Sequence, residues 1–236
     1  MKRLDESTKK KLVIGIGCLL IIIFIGIFIY MRQSENYNYL KVNKSEYLVY
    51  TAKSNSGTYP KLIPYLNINT SVAEEVNKDI DDLLSSYIDS EMASISYEYD
   101  ISGDMLSLVV KIVDYDTEFA PEIRFRSYNY NLKDGSLISD MDLLGLFEIN
   151  ESDVSNAIES QFEKYYEDML EEEYYDEREC NFECFLKYRE VDNYLDDVAY
   201  YVENGKLVAF KPFVFYSIFG EENYFKEKDF KFTITK

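Results

Sequence analysis

The chain has 236 residues with 44 acidic and 25 basic side chains, which give a formal net charge of −19. This charge makes nucleic acid and anionic lipid poor partners and favours a basic protein, a cationic peptide or divalent cations, although it also serves simply to keep a protein soluble. The absence of histidine excludes Ser-His-Asp and Cys-His catalysis and the usual zinc ligand sets.

The N-terminal region has the features of a membrane anchor. Residues 12–31 carry no charge, and a helix of that length crosses roughly 30 Å of hydrocarbon. Basic residues are concentrated in 1–11, so the N-terminus is expected in the cytoplasm. A cleaved signal peptide is the main alternative, but the apolar run exceeds a usual signal core and no small-x-small cleavage site follows it. The predicted organisation is a cytoplasmic tail at 1–11, a transmembrane helix at 12–31, a stalk at 32–46 and an extracytoplasmic domain at 47–236.

Three cysteines raise separate questions. Cys18 lies within the apolar run, where a lipid-facing thiol is expected. Cys180 and Cys184 lie outside the membrane and could form a disulfide there. In a regular helix, however, their Cβ atoms would be about 5–6 Å apart, against about 3.8 Å in a disulfide. The sequence leaves open whether Cys180 and Cys184 form a disulfide or remain two thiols.

The periodicity of the remaining sequence predicts an α+β domain. A capping box at Ser71 and a cap at residues 150–153 begin two long helices, and residues 140–147 form a helical turn. Strands are predicted at 47–53, 93–101, 105–114, 123–132, 197–203, 207–212 and 230–235. Because hairpin turns such as Asn204-Gly205 join these strands, rather than βαβ crossovers, we expect one antiparallel sheet with two main helices packed on it.

No pattern predicts an active site. Paired carboxylates such as Asp140 with Asp142, or Glu221 with Glu222, have the residue types of a glycosidase, but pairs arise by chance in so acidic a chain. The run 114–116 could bind calcium weakly, yet no EF-hand loop is present. The sequence therefore predicts neither an enzyme nor a resident cofactor or metal.

Several segments of the outer domain follow one another in a recognisable order. They are Tyr59 to Leu62 with Asn67, Val76 to Ile80, Ser96 to Tyr99, Met105 to Val109, Tyr128 to Gly135, Leu143 to Phe147, and Leu207 to Phe213 with Tyr216 and Gly220. This order resembles a bacterial extracytoplasmic domain family found in RsiV-type lysozyme-sensing anti-sigma factors and ahead of the catalytic part of PdaC-type peptidoglycan deacetylases. Where that family carries a Gly-Ala-His-Gly turn, this chain has residues 117–122 without glycine or histidine.

The resemblance implies a membrane-anchored binding or sensor domain of the cell envelope. With the acidic composition, it points to a cationic protein such as lysozyme, or to a cell-wall component, as the partner. The candidate surface is the acidic run Glu171, Glu172, Glu173, Asp176, Glu177 and Glu179. Two alternatives remain: a cell-wall hydrolase or deacetylase-like enzyme that uses carboxylates, and a structural envelope protein without a ligand.

Overall fold

The structure is a computed structural model that describes residues 47–54, 57–116, 121–171, 181–183, 195, 197–217 and 224–235. Its strands are β1 (Val49–Ser54), β2 (Lys61–Leu66), β3 (Ala93–Ser102), β4 (Met105–Asp114), β5 (Glu122–Asn131), β6 (Leu137–Ile138), β7 (Ala199–Glu203), β8 (Lys206–Ser217) and β9 (Tyr224–Thr233). Its helices are α1 (Ser71–Leu84), α2 (Asp140–Leu146) and α3 (Glu151–Glu171). These elements confirm the α+β class.

The predicted tail, anchor and stalk, together with Cys18, lie outside the described residues. Among the helices that the structure describes, none is both long and apolar enough to cross a membrane. The anchor at residues 12–31 therefore stays a prediction from the sequence.

The described strands form two sheets rather than the single sheet expected. The first sheet has six strands in the chain order β1 to β6, and the second has three in the order β7 to β9. The expected absence of a βαβ crossover is also wrong, because β2 pairs parallel with β3 through Lys61 and Ile95. Helix α1 connects these two strands, and parallel neighbours need such a crossover.

The two sheets pack face to face, with a helix on each outer side. On β4, Val109 joins a buried cluster with Ala199, Tyr201, Val208 and Phe210 of the second sheet. The opposite face of the first sheet meets α1, since Tyr128 lies opposite Leu108 in the register and donates a hydrogen bond to Asp79 of α1. Strand β4 is therefore buried on both faces, as its long run of β-branched and apolar residues requires.

Helix α3 covers the outer face of the second sheet. Its buried face carries Val154, Ile158, Phe162, Tyr165, Tyr166 and Met169, the positions that the sequence periodicity predicts. Phe162 lies 4.8 Å from Phe213 and 5.4 Å from Phe230, measured between ring centroids. Because α1 and α3 occupy opposite outer layers, the order of layers is helix, six-stranded sheet, three-stranded sheet, helix.

The N-terminal cap of α3 is the one predicted from the sequence, whereas the N-terminal cap of α1 is a different residue from the one predicted. At α3, Asn150 Oδ1 accepts from the backbone N–H of Asp153 and Asp153 Oδ2 accepts from the N–H of Asn150, as predicted. At α1, the cap is Thr70 rather than Ser71, with the Thr70 hydroxyl accepting from Ala73 N–H. That hydroxyl is also 2.8 Å from the hydroxyl of Tyr130, a buried residue.

A polar clasp joins the turn between β3 and β4 to the turn between β7 and β8. The Asp100 carboxylate accepts from the Ser102 hydroxyl and from Asn204 N–H, both at 2.7 Å. Gly205 N–H donates to the same Ser102 hydroxyl at 2.9 Å. Partial burial opposes ionisation of Asp100, but these hydrogen bonds outweigh it and lower the pKa of the carboxyl.

The clasp should make the fold sensitive to acid. A carboxyl whose pKa is lower in the folded state stabilises the fold above its unfolded pKa of about 3.9, and this contribution disappears as the pH falls through the folded pKa. We expect Asp100→Asn to remove part of the loss of stability between about pH 5 and pH 2. Urea unfolding at both pH values measures this loss, with Asp104→Asn, in the same turn between β3 and β4 but outside the clasp's hydrogen bonds, as the control. An equal loss of stability in acid for the unmodified chain, Asp100→Asn and Asp104→Asn would contradict a role of the clasp in acid sensitivity.

Candidate functional site

A cleft of about 460 Å³ lies between α1, the outer edge of β5 and the start of α2. We call it the acidic cleft. Its lining residues are Glu75, Val76, Asp79, Arg126, Ser127, Tyr128, Asn129, Leu137, Ile138, Ser139 and Asp140. Three of these are carboxylates and one is a cation.

Helix α1 places two carboxylates on the rim of the cleft. Glu75 and Asp79 are four residues apart and therefore project from the same side of the helix. The helix is held against the sheet by Val76 and Ile80, which are buried. Burial of one side of α1 thus leaves the acidic side facing the cleft.

Asp79 is already engaged by two side chains of β5. Its Oδ2 atom accepts from the Tyr128 hydroxyl at 2.7 Å and from Arg126 Nη2 at 3.2 Å. Burial, and then the hydrogen bond to Asp79, raise the pKa of the Tyr128 hydroxyl, so it stays protonated and acts as the donor. The Arg126 guanidinium lies over the Tyr128 ring, 5.7 Å from its centroid. Arg126, the cation of the cleft, is therefore already paired with a carboxylate of the same chain.

Glu75 and Asp140, the other two carboxylates of the cleft, have different surroundings from Asp79. Within the part of the chain that the structure describes, neither Glu75 nor Asp140 forms an ion pair. Partial burial raises the pKa of the Asp140 carboxyl, and the charge of Arg126 offsets this rise only in part. These two carboxylates can therefore accept hydrogen bonds from a cationic group that enters the cleft.

Apolar side chains border the same carboxylates. Leu137 in β6 is 45% exposed, and Met141, which follows Asp140 in the chain, is 79% exposed. Leu137 also lines the cleft, so the cleft combines carboxylates with some exposed apolar surface.

Of the predicted site residues only Glu171 is described, and it does not line this cleft. Glu171 is the last residue of α3 and is exposed, in the outer layer opposite to α1. The other residues of the predicted acidic surface, Glu172, Glu173, Asp176, Glu177 and Glu179, lie outside the described residues. The same holds for Cys180 and Cys184, so their pairing stays a prediction.

The carboxylates considered for catalysis or calcium binding are described only in part, since Glu221 and Glu222 lie outside the described residues. Asp142 accepts from the Ser139 hydroxyl at the start of α2, whereas Asp140 lines the acidic cleft. Asp114 accepts from the backbone N–H of Asp116 at the end of β4. No group of three or more Cys, Asp or Glu side chains suited to a metal ion occurs among the described residues.

Side chains of the segments that resemble the envelope family have structural contacts here. Lys61 is buried and donates to the backbone oxygen of Ser90 at 2.5 Å. The Asn77 amide accepts from Leu66 N–H at 2.7 Å and donates to its carbonyl at 3.0 Å. The family models give no match to this chain, and the curated proteins give none either.

Sequence reasoning did not find the acidic cleft. Asp79 and Arg126 are 47 residues apart, and neither belongs to a local motif with a known chemistry. Asp79 and Tyr128 do fall within the segments that carry the family resemblance, which was the available signal.

Proposed function

We propose that the chain is a membrane-anchored binding or sensor domain of the bacterial cell envelope, and that it binds a cationic protein such as lysozyme through the acidic cleft. Residues 12–31 would anchor it and place the α+β domain outside the cytoplasm. A binding role requires a surface that is complementary to the partner rather than a set of reacting groups.

One observation carries this proposal. The acidic cleft holds Glu75 and Asp140 without an ion pair among the described residues, while its single cation, Arg126, is bound to Asp79. A lysine or arginine of a partner would supply the missing positive charge. The exposed Leu137 and Met141 would contact apolar parts of that partner.

The test measures binding of lysozyme to the full chain in detergent by titration calorimetry. We expect the double variant Glu75→Gln, Asp140→Asn to bind about tenfold more weakly, since each lost charge contact at a partly exposed site contributes up to about 1 kcal/mol. We also expect the affinity of the unmodified chain to fall as salt is raised.

The matched control is the double variant Glu163→Gln, Glu167→Gln, which removes the same charge from exposed positions of α3. It should bind lysozyme nearly as tightly as the unmodified chain. Equal losses in the two double variants would show attraction by net charge without a defined site. Absence of binding at low salt would contradict the proposed function itself.

A further inference from the structure

The outer edge of strand β5 is paired along only part of its length among the described residues. It pairs with β4 along all ten residues from Glu122 to Asn131. On the other side, β6 pairs only with Asn129 and Tyr130. Among the described residues, no strand pairs with the outer side of residues 122–128. Such an edge can accept a further strand.

The hydrogen bonds at the end of β5 show which backbone groups face outward. Asn131 N–H donates to the Ser136 carbonyl at 2.8 Å, and Gly135 N–H donates to the Asn131 carbonyl at 2.9 Å, both away from β4. Alternate residues of an antiparallel strand direct both backbone groups to the same side. Because the register with β4 is continuous, the outward-facing residues in the unpaired part are Ile123, Phe125 and Ser127.

A groove follows this edge. A second cavity of about 540 Å³ is lined by the consecutive residues Glu122 to Arg126, with Leu83 of α1 on one side and Pro212 of β8 on the other. Arg126 also lines the acidic cleft, which includes the next residues of β5. The two cavities share Arg126 and follow one another along β5, and we refer to the pair of them as the β5 groove.

The charges along this groove favour a cationic occupant. Arg124 is paired with Glu122 at 2.6 Å, and Arg126 is paired with Asp79. The additional carboxylates that line the groove are Glu75, Asp140 and Asp197. With both arginines paired, the groove has an excess of three negative charges, which is complementary to lysine and arginine side chains.

We propose that the partner binds by strand addition: an extended, cationic segment of it pairs with the outer edge of β5. Its backbone hydrogen-bonds to Ile123, Phe125 and Ser127, and its basic side chains reach Glu75 and Asp140. Main-chain hydrogen bonds supply affinity in such complexes, and the side chains supply specificity. This inference rests on the proposed function, since it assigns the mode of binding at the same cleft.

The test is amide hydrogen exchange, resolved by residue with NMR, on the full chain with a synthetic peptide of alternating lysine and valine. Exchange at Ile123, Phe125 and Ser127 should slow by about tenfold or more, because the peptide would bind these N–H groups. Exchange at Arg124 and Arg126 should change little, since their N–H groups already face β4. A peptide of alternating glutamate and valine is the control and should leave the whole pattern unchanged.

Two results would overturn strand addition while leaving the proposed function intact. One is binding of the lysine peptide, weakened by Glu75→Gln with Asp140→Asn, without the alternating protection. The other is slow exchange at Ile123, Phe125 and Ser127 before any peptide is added, which would mean that residues of this chain already cover the edge. If neither the peptide nor lysozyme binds, the proposed function fails as well.

A variant gives a second readout. Ser127→Pro removes one outward N–H group, and proline is tolerated at the free side of an edge strand. We expect its circular dichroism spectrum to be unchanged and its affinity for the lysine peptide to fall about tenfold, the effect of one lost hydrogen bond of about 1–1.5 kcal/mol. A folded variant with unchanged affinity would overturn strand addition.

Discussion

Replacing Phe162 by alanine is expected to lower the free energy of unfolding by about 3–5 kcal/mol, the usual effect of truncating a buried aromatic side chain. Phe162 is 0% exposed and lies at the centre of the cluster between α3 and the second sheet. Its ring contacts Phe213 and Phe230 from different strands. Alanine would leave a cavity between α3, β8 and β9, because these packed elements cannot move far enough to fill it.

Urea unfolding followed by far-ultraviolet circular dichroism measures this change, because the chain has no tryptophan to report by fluorescence. Phe162→Leu is the matched control and should lose only about 1–2 kcal/mol, since most of the buried volume is kept. Total stabilities of about 5–15 kcal/mol make the alanine variant marginal. If alanine and leucine have equal, small effects, α3 does not pack on the second sheet as described.

Replacing Asn129 by alanine is expected to lower the free energy of unfolding by about 2–4 kcal/mol. Asn129 is buried between the two sheets, where it accepts from the Ser107 hydroxyl at 2.6 Å and donates to the Tyr200 carbonyl at 3.0 Å. Alanine would leave a buried hydroxyl and a buried carbonyl without these partners, and each unsatisfied group costs about 1–3 kcal/mol.

The control for Asn129 is Asn156→Ala, at an exposed position of α3. It should change the free energy of unfolding by less than about 0.5 kcal/mol. Chemical denaturation of both variants compares the two positions directly. A small effect at Asn129 would mean that water replaces its hydrogen bonds and that the interface between the sheets is not closed at this point.

Sequence reasoning located most elements because their signals are local. The predicted strand at residues 105–114 coincides with β4, and the helix predicted from Ser71 coincides with α1. Hairpin turns and helical periodicity depend on neighbouring residues, so they can be recognised without knowing the fold. The predicted 207–212 strand extends in the structure to Ser217, within β8.

The parts that were not predicted depend on contacts between distant residues. The division into two sheets follows from which face of β4 meets Val208 and Phe210, about a hundred residues later in the chain. The hydroxyl of Thr70, the cap of α1, also contacts Tyr130, which lies 60 residues later in the chain. The acidic cleft likewise requires β5 to lie beside α1. Local sequence patterns carry no information about such pairings.

The strand order of the first sheet has a consequence for folding during synthesis. Its six strands are neighbours in the order in which they leave the ribosome, so its contacts are short in sequence and can form early. The face of this sheet that carries Val109 and Phe125 is covered by residues of β7 and β8, which are made much later. We therefore expect a translation intermediate with an exposed apolar sheet face, the kind of species that aggregates or recruits chaperones.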